Sequence, residues 1–141
     1  MQLSPTDLQN IERELCRLSL ADFAKRAWHV LEPSTPLKWG WALDAICMHL
    51  EAVTKGEIKR LLMNVPPGSM KSLLAGVIWP AWEWGPRGMA HLRIVGTAHE
   101  ETLAIRDSRK CRDLIKSEWY QALWPLELLR DLDGKREFGN E

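Results

Sequence analysis

Lys71 and Ser72 stand side by side in "LLMNVPPGSMKSLLAG", residues 61–76, where an apolar run meets two prolines and a glycine and then turns apolar again. A lysine followed by a hydroxyl at the start of a helix suits phosphate chemistry. The ammonium can reach the β/γ oxygens of a nucleotide, the hydroxyl can join a magnesium shell, and N–H groups of the preceding loop can close round the β-phosphate. In the GxxxxGK[ST] register Val65 takes the first glycine position and Met70 the second, so only Lys71 and Ser72 match by identity. Gly68 gives the loop freedom, and Pro66-Pro67 stiffen its entry. Taken alone, the loop leaves two readings open. It is a phosphate cradle with the Met70 side chain turned away, or an ordinary turn in which Ser69 caps a helix and Lys71 is solvated.

The elements that must hold this loop are read from periodicity and punctuation. Ser4-Pro5 with Asp7 marks a helix start, and Leu8, Ile11, Leu15 and Leu18 follow at helical spacing. A second helix begins at Ser19, presents Phe23, Ala27, Trp28 and Leu31, and stops at the prolines of "EPSTP", residues 32–36. A third spans about 41–53, with Ile46, Leu50 and Val53 on one face and Gly56 as its stop. "RLLMNV", residues 60–65, is short, apolar and bounded by prolines, as a buried parallel strand would be. Residues 72–84 return to helical spacing, with Leu73, Leu74, Val77, Ile78 and Ala81 on one face. "LRIVGT", residues 92–97, reads as a second strand, and residues 100–116 as a long helix with Leu103, Ala104, Cys111, Leu114 and Ile115 inward. The order is βαβα, which implies a parallel sheet with right-handed crossovers. A doubly wound nucleotide-binding sheet has about five or six strands, so the two read here make a fold begun and not finished.

Composition narrows the function classes. The chain has 141 residues with 19 basic and 19 acidic side chains, so its overall charge does not announce a nucleic-acid partner. Cys16, Cys47 and Cys111 are widely spaced, and His29, His49, His91 and His99 are scattered, which suggests neither a disulfide framework nor a zinc site. The start shows no signal-peptide pattern and no apolar run reaches membrane-span length, so the reading is a cytoplasmic protein without a membrane partner. Eight tryptophans against one tyrosine and two phenylalanines are read as packing rings, not a base-stacking platform.

Several segments together resemble the ATPase domain of tailed-phage terminase large subunits. The segments are "GWALDAICMHLEAVTKGEIK", then "RLLMNVPPGSMKSLLAGVIWPAWEWG", then "RIVGTAHEETLAIRDSRKCRDLIKSEWYQALWP". Asn64, Pro66, Pro67, Gly68, Lys71 and Ser72 match that family's Walker A loop, which tolerates methionine before the lysine. Arg106, Ser108, Arg109, Arg112, Asp113, Leu114, Ile115, Trp119, Tyr120 and Pro125 match its following helix. The resemblance covers roughly residues 36–125. It implies an α/β fold: an incomplete P-loop NTPase parallel sheet with flanking helices. Residues 1–35 form a helical N-terminal lead-in, 36–125 the first part of the ATPase domain, and 126–141 a polar tail.

The resemblance further implies that ATP and Mg²⁺ are the ligands. Lys71 would hold the β/γ-phosphates, Ser72 would coordinate Mg²⁺, and the backbone of Pro67, Gly68, Ser69 and Met70 would cradle the phosphates. The segment Trp39 to Asp44 would lie near the adenine, with Ala42 where the family often has histidine. The implied partners are double-stranded phage DNA, a small terminase subunit and a portal, in a bacterial host cytoplasm. Hydrolysis needs an acidic Walker B pair at the end of a further apolar strand. Asp131 and Asp133 in "LELLRDLDGK" follow no such strand, and no nuclease domain is seen, so the expectation is a fragment or one piece of a split gene that hydrolyses ATP only with the rest of the protein.

Arg106, Arg109, Lys110 and Lys116 lie near one face of the 100–116 helix and are the best local candidates for a polyanion or DNA contact; a solvated face beside Asp107 and Asp113 is the plainer alternative. Arg109 is also conceivable as an arginine finger. Against the packaging ATPase stand two other readings, a non-catalytic docking module for other packaging proteins and a prophage remnant. An unfinished sheet would leave an exposed edge, which implies low solubility when the chain is expressed alone.

Overall fold

The computed structural model describes residues 3–129 and 139–140. The expected helices are present. Helix α1 spans Pro5–Leu18, and the Ser4 side chain accepts from the Asp7 N–H while Asp7 accepts from the Ser4 N–H, a reciprocal cap. The Ser4 hydroxyl, donating to the Asp7 carboxylate at 2.7 Å, and then the Ser4 N–H at 3.0 Å hold that carboxyl below the usual carboxylate range. Ser19 ends α1 and also caps α2, Leu20–Leu31, by accepting from the Asp22 N–H at 3.1 Å. Helix α3 spans Trp41–Thr54 and gives way to Gly56 at φ 78°. The segments Lys71–Leu73, Leu74–Ile78 and Trp79–Trp84 run on as one helix, here the loop helix. Its middle segment is a π-turn, in which the Trp79 N–H reaches the Leu74 carbonyl five residues back. Pro80 explains the widening: it has no N–H to give and its ring crowds the carbonyl four residues earlier, so a local π register accommodates it inside a continuous helix. The basic helix, Glu101–Lys116, and a short helix, Glu118–Leu123, complete the bundle.

The expected parallel sheet is absent from the described residues, which corrects the α/β reading. Their only strand pairing joins Leu128–Leu129 to Gly139–Asn140, two residues a side and antiparallel. Segments 60–65 and 92–97 form neither helix nor strand and are not paired with each other or with any other described strand. Their single backbone–backbone hydrogen bond is local, from the Leu92 N–H to the Met89 carbonyl at 3.0 Å. Leu61, Met63 and Val65 rest on the core while Arg60, Leu62 and Asn64 face outward, so the period of two is real. What is missing is the ladder. Leu62 is 84% exposed and Val95 86%, a surface that a buried strand would cover. A short apolar run bounded by Pro and Gly looks the same in sequence whether it pairs in a sheet or lies singly across helices.

Helices alone therefore build the core. Leu74, Val77, Ile78 and Ala81 of the loop helix are fully buried against Cys16, Leu20, Phe23 and Ala27 of the first two helices, Leu43, Ile46, Cys47 and Leu50 of α3, and Cys111, Leu114 and Ile115 of the basic helix. Phe23, Trp119, Tyr120 and Trp124 pack ring to ring at centroid distances of 5.4–6.3 Å, in line with the packing role read for the aromatics. No helix of the described residues is long and apolar enough to cross a membrane.

The packing makes two predictions. Gly85 lies against the Tyr120 ring, whose hydroxyl donates to the Ala81 carbonyl at 2.7 Å, and a Cβ there would overlap the Tyr120 hydroxyl. Gly85→Ala should cost about 1–3 kcal/mol in chemical denaturation, the usual cost of overpacking, whereas Gly96→Ala, with open space round it, should leave stability unchanged. Burial pushes the thiols of Cys16, Cys47 and Cys111 up to about 12. At pH 8 an aromatic disulfide reagent should therefore find all three unreactive in the folded chain and titrate all three in denaturant. Rapid labelling of folded protein would contradict the core described.

Candidate functional site

The loop is positioned by the helix on its C-terminal side. The loop helix is anchored at several points along its length: the Trp79 indole N–H donates to Thr54 Oγ1 at 2.9 Å, Thr54 in turn donates to the buried Glu83 carboxylate, and the Trp82 indole donates to the Cys16 carbonyl at 2.6 Å. Each bond satisfies a polar group that would otherwise be buried at a cost. The N-terminal end of this anchored helix opens onto residues 66–70.

Within the loop two residues have left-handed backbone, Gly68 at φ 82° and Met70 at φ 57°. The second shapes the site. Met70 occupies the register position where a phosphate loop has glycine, and it adopts the conformation that glycine would make easy. Its partly buried side chain packs back against the core. Met70 is the residue immediately before the helix, and the first bond of the helix runs from the Leu74 N–H to the Met70 carbonyl at 2.8 Å. The N–H groups of Lys71, Ser72 and Leu73 consequently have no backbone partner among the described residues. Unpaired N–H groups at a helix start, next to alternating left-handed residues, make an electropositive nest.

The side chains agree with that geometry. Ser69 does not cap the helix; its hydroxyl donates to the Pro66 carbonyl at 2.6 Å and so pins the turn. Lys71 is half-buried and forms no hydrogen bond or ion pair with a described residue, and Ser72 is exposed beside it. Pro67 and Gly68 are exposed at the loop tip. These six residues, Pro67 to Ser72, are contiguous at the start of the loop helix. No group of three or more His, Cys, Asp or Glu side chains that could hold a metal is present among the described residues.

The other expected site residues are placed less favourably. Lys110 turns onto Glu32 at 2.7 Å and Arg106 onto Asp107 at 2.8 Å, so these two basic side chains face acids. Arg109 and Lys116 are exposed. In the expected adenine segment, the Trp39 indole donates to Asp44 at 2.7 Å and carries Lys25 over its ring at 4.9 Å, while Trp41 is exposed. Asp131 and Asp133 lie outside the described residues. Sequence reasoning missed Glu83, a carboxylate buried to 4% exposure that ties α3 to the loop helix through Thr54. Its spacing in "WPAWEW" is that of a core face interrupted by an acid, which is the signal that could have marked it.

Comparison with protein-family models, with curated protein sequences and with solved structures finds no match for this chain.

Proposed function

We propose that residues 66–72 bind the phosphates of a nucleotide, ATP with Mg²⁺, and that the chain is the ATP-binding part of a DNA-packaging motor of the kind it resembles, the tailed-phage terminase large subunit. The observation that carries this reading is the left-handed Met70 with its side chain on the core, which frees the N–H groups at the start of the loop helix for an anion. Phosphate binding rests on the loop and its helix, and the place in a packaging motor rests on the sequence resemblance alone.

In this reading the backbone from Pro67 to Met70 and the first helical N–H groups surround the β-phosphate. Lys71 places its ammonium on the β/γ oxygens as a point charge, and Ser72 offers its hydroxyl to Mg²⁺. The metal would neutralise developing phosphate charge when bound. Arg109, with Lys116 near it on the basic helix, would face the phosphate backbone of double-stranded DNA, and a small terminase subunit and a portal would be the protein partners in the host cytoplasm. A docking module without nucleotide chemistry is the second reading, favoured by the exposed apolar face of α1.

The test is calorimetric titration of the folded chain with a slowly hydrolysed ATP analogue and Mg²⁺. Saturable binding should weaken about tenfold or more in Lys71→Ala, a loss of at least one charge-assisted contact. Met70→Gly, which keeps the left-handed backbone, should retain binding. Ser72→Ala should lose the magnesium dependence while keeping affinity for the metal-free analogue. No binding by folded wild-type chain, or binding indifferent to Lys71→Ala, would sink the proposal.

A further inference from the structure

Pro80 is buried in the loop helix, nine residues beyond Lys71, and the helix is held on both sides of its π-turn. The Trp79 and Trp82 indoles and the Ala81 carbonyl bond to Thr54, Cys16 and Tyr120, which fixes the rotation of the C-terminal half. In the N-terminal half Leu74 is fully buried, and Met70 and Leu73 pack against the core. Between the halves the Trp79 N–H reaches the Leu74 carbonyl, where an α-helix would bond it to Ala75. The π-turn thus takes up one residue more than an α-helix needs between two fixed halves.

We propose that Pro80 is a positioning residue for the phosphate loop: by holding the π register it sets the direction in which Lys71 and Ser72 leave the helix. An α bond to the Gly76 carbonyl needs an N–H at position 80 and room beside that carbonyl, and proline provides neither. Gly76 is exposed, so its carbonyl can turn to water while the Pro80 ring stays in the core. With the C-terminal half fixed, an α register would rotate residues 71–75 by about 100°, so that each stands where its predecessor stands now. Ala75 would take the buried place of Leu74, and Ser72 would point along the present direction of Lys71. Lys71 itself would turn to the side where Met70 now packs on the core. The inference rests on the phosphate reading of residues 66–72 and adds to it a residue about two and a half turns away that touches no ligand.

The test separates rotation from folding. Leu74→Ala/Ala75→Leu, with Pro80 kept, moves the larger side chain to the position that an α register would bury. It should melt lower than the parent, because the core loses Leu74, and should bind the slowly hydrolysed ATP analogue with Mg²⁺ as the parent does. Adding Pro80→Ala should let the helix take the α register, so that Tm recovers towards the parent while affinity falls about tenfold or more. Coupling across the hydrogen bond from the Trp79 amide nitrogen, read by NMR on isotope-labelled chain, reports the register directly. It should reach the carbonyl of position 74 in the parent and in the exchanged variant, and that of position 75 in the triple variant. A proline with a merely structural role would not make the triple variant more stable and weaker in binding than the exchanged one. Coupling that stays at position 74 in the triple variant, or affinity unchanged after the coupling has moved, overturns the inference. So does a triple variant that fails to recover its fold. A parent chain that binds no analogue sinks the phosphate reading and this inference with it, whereas binding by the parent and the triple variant alike sinks the inference alone.

Discussion

Pro80 in the middle of a buried helix is the constraint round which the molecule is arranged. A helix that must pass through the core cannot leave a carbonyl crowded or an N–H unmet without a cost of about a hydrogen bond or more. The π-turn over Leu74–Ile78 resolves this by shifting the register once, with Trp79 bonding to Leu74. That shift fixes which residues of the loop helix face which neighbours. Trp79 and Glu83 meet Thr54 of α3, Trp82 meets the Cys16 carbonyl of α1, and the Ala81 carbonyl receives the Tyr120 hydroxyl. Helix α3, helix α1 and the short helix are thus each held by a specific polar bond in addition to apolar packing.

The same helix sets the backbone of the loop before it. Its far end is locked in the core, so its first turn has little freedom, and the turn before it must absorb the change of direction. Met70 does so in the left-handed region, a conformation that costs a side-chain-bearing residue about 1 kcal/mol or more. The burial of its side chain offsets that cost. A glycine would reach the same backbone without needing the packing.

The helices were legible because their signals are local: the Ser4 and Ser19 caps, Gly56 after α3, and the three-four spacing of Leu74, Val77, Ile78 and Ala81. The packing role was legible for Trp82 and Trp84, which are buried, but not for Trp41, which is 83% exposed. The sheet was misread because "RLLMNV" and "LRIVGT" carry a strand's composition, and composition does not reveal whether a neighbouring ladder exists. The outward turn of Leu8, Ile11, Leu15 and Leu18 was not legible either. The stripe is visible in sequence, but which side of α1 faces inward is decided by Arg13 and Glu12 finding partners about 110 residues away. Of the site, Lys71 and Ser72 were evident from identity, whereas the Met70 conformation depends on where the core holds the helix.

The central claim is that the loop is presented by a helical bundle, with segments 60–65 and 92–97 lying across it unpaired. Amide hydrogen exchange of the free chain, resolved to single segments, tests this most directly. The account predicts strong protection in Leu74–Ile78 and Trp79–Trp84 and in the basic helix, with exchange near the unprotected rate throughout 60–65 and 93–97. Protection of those two segments comparable to that of the helices would mean that they pair in a sheet, and would contradict the account.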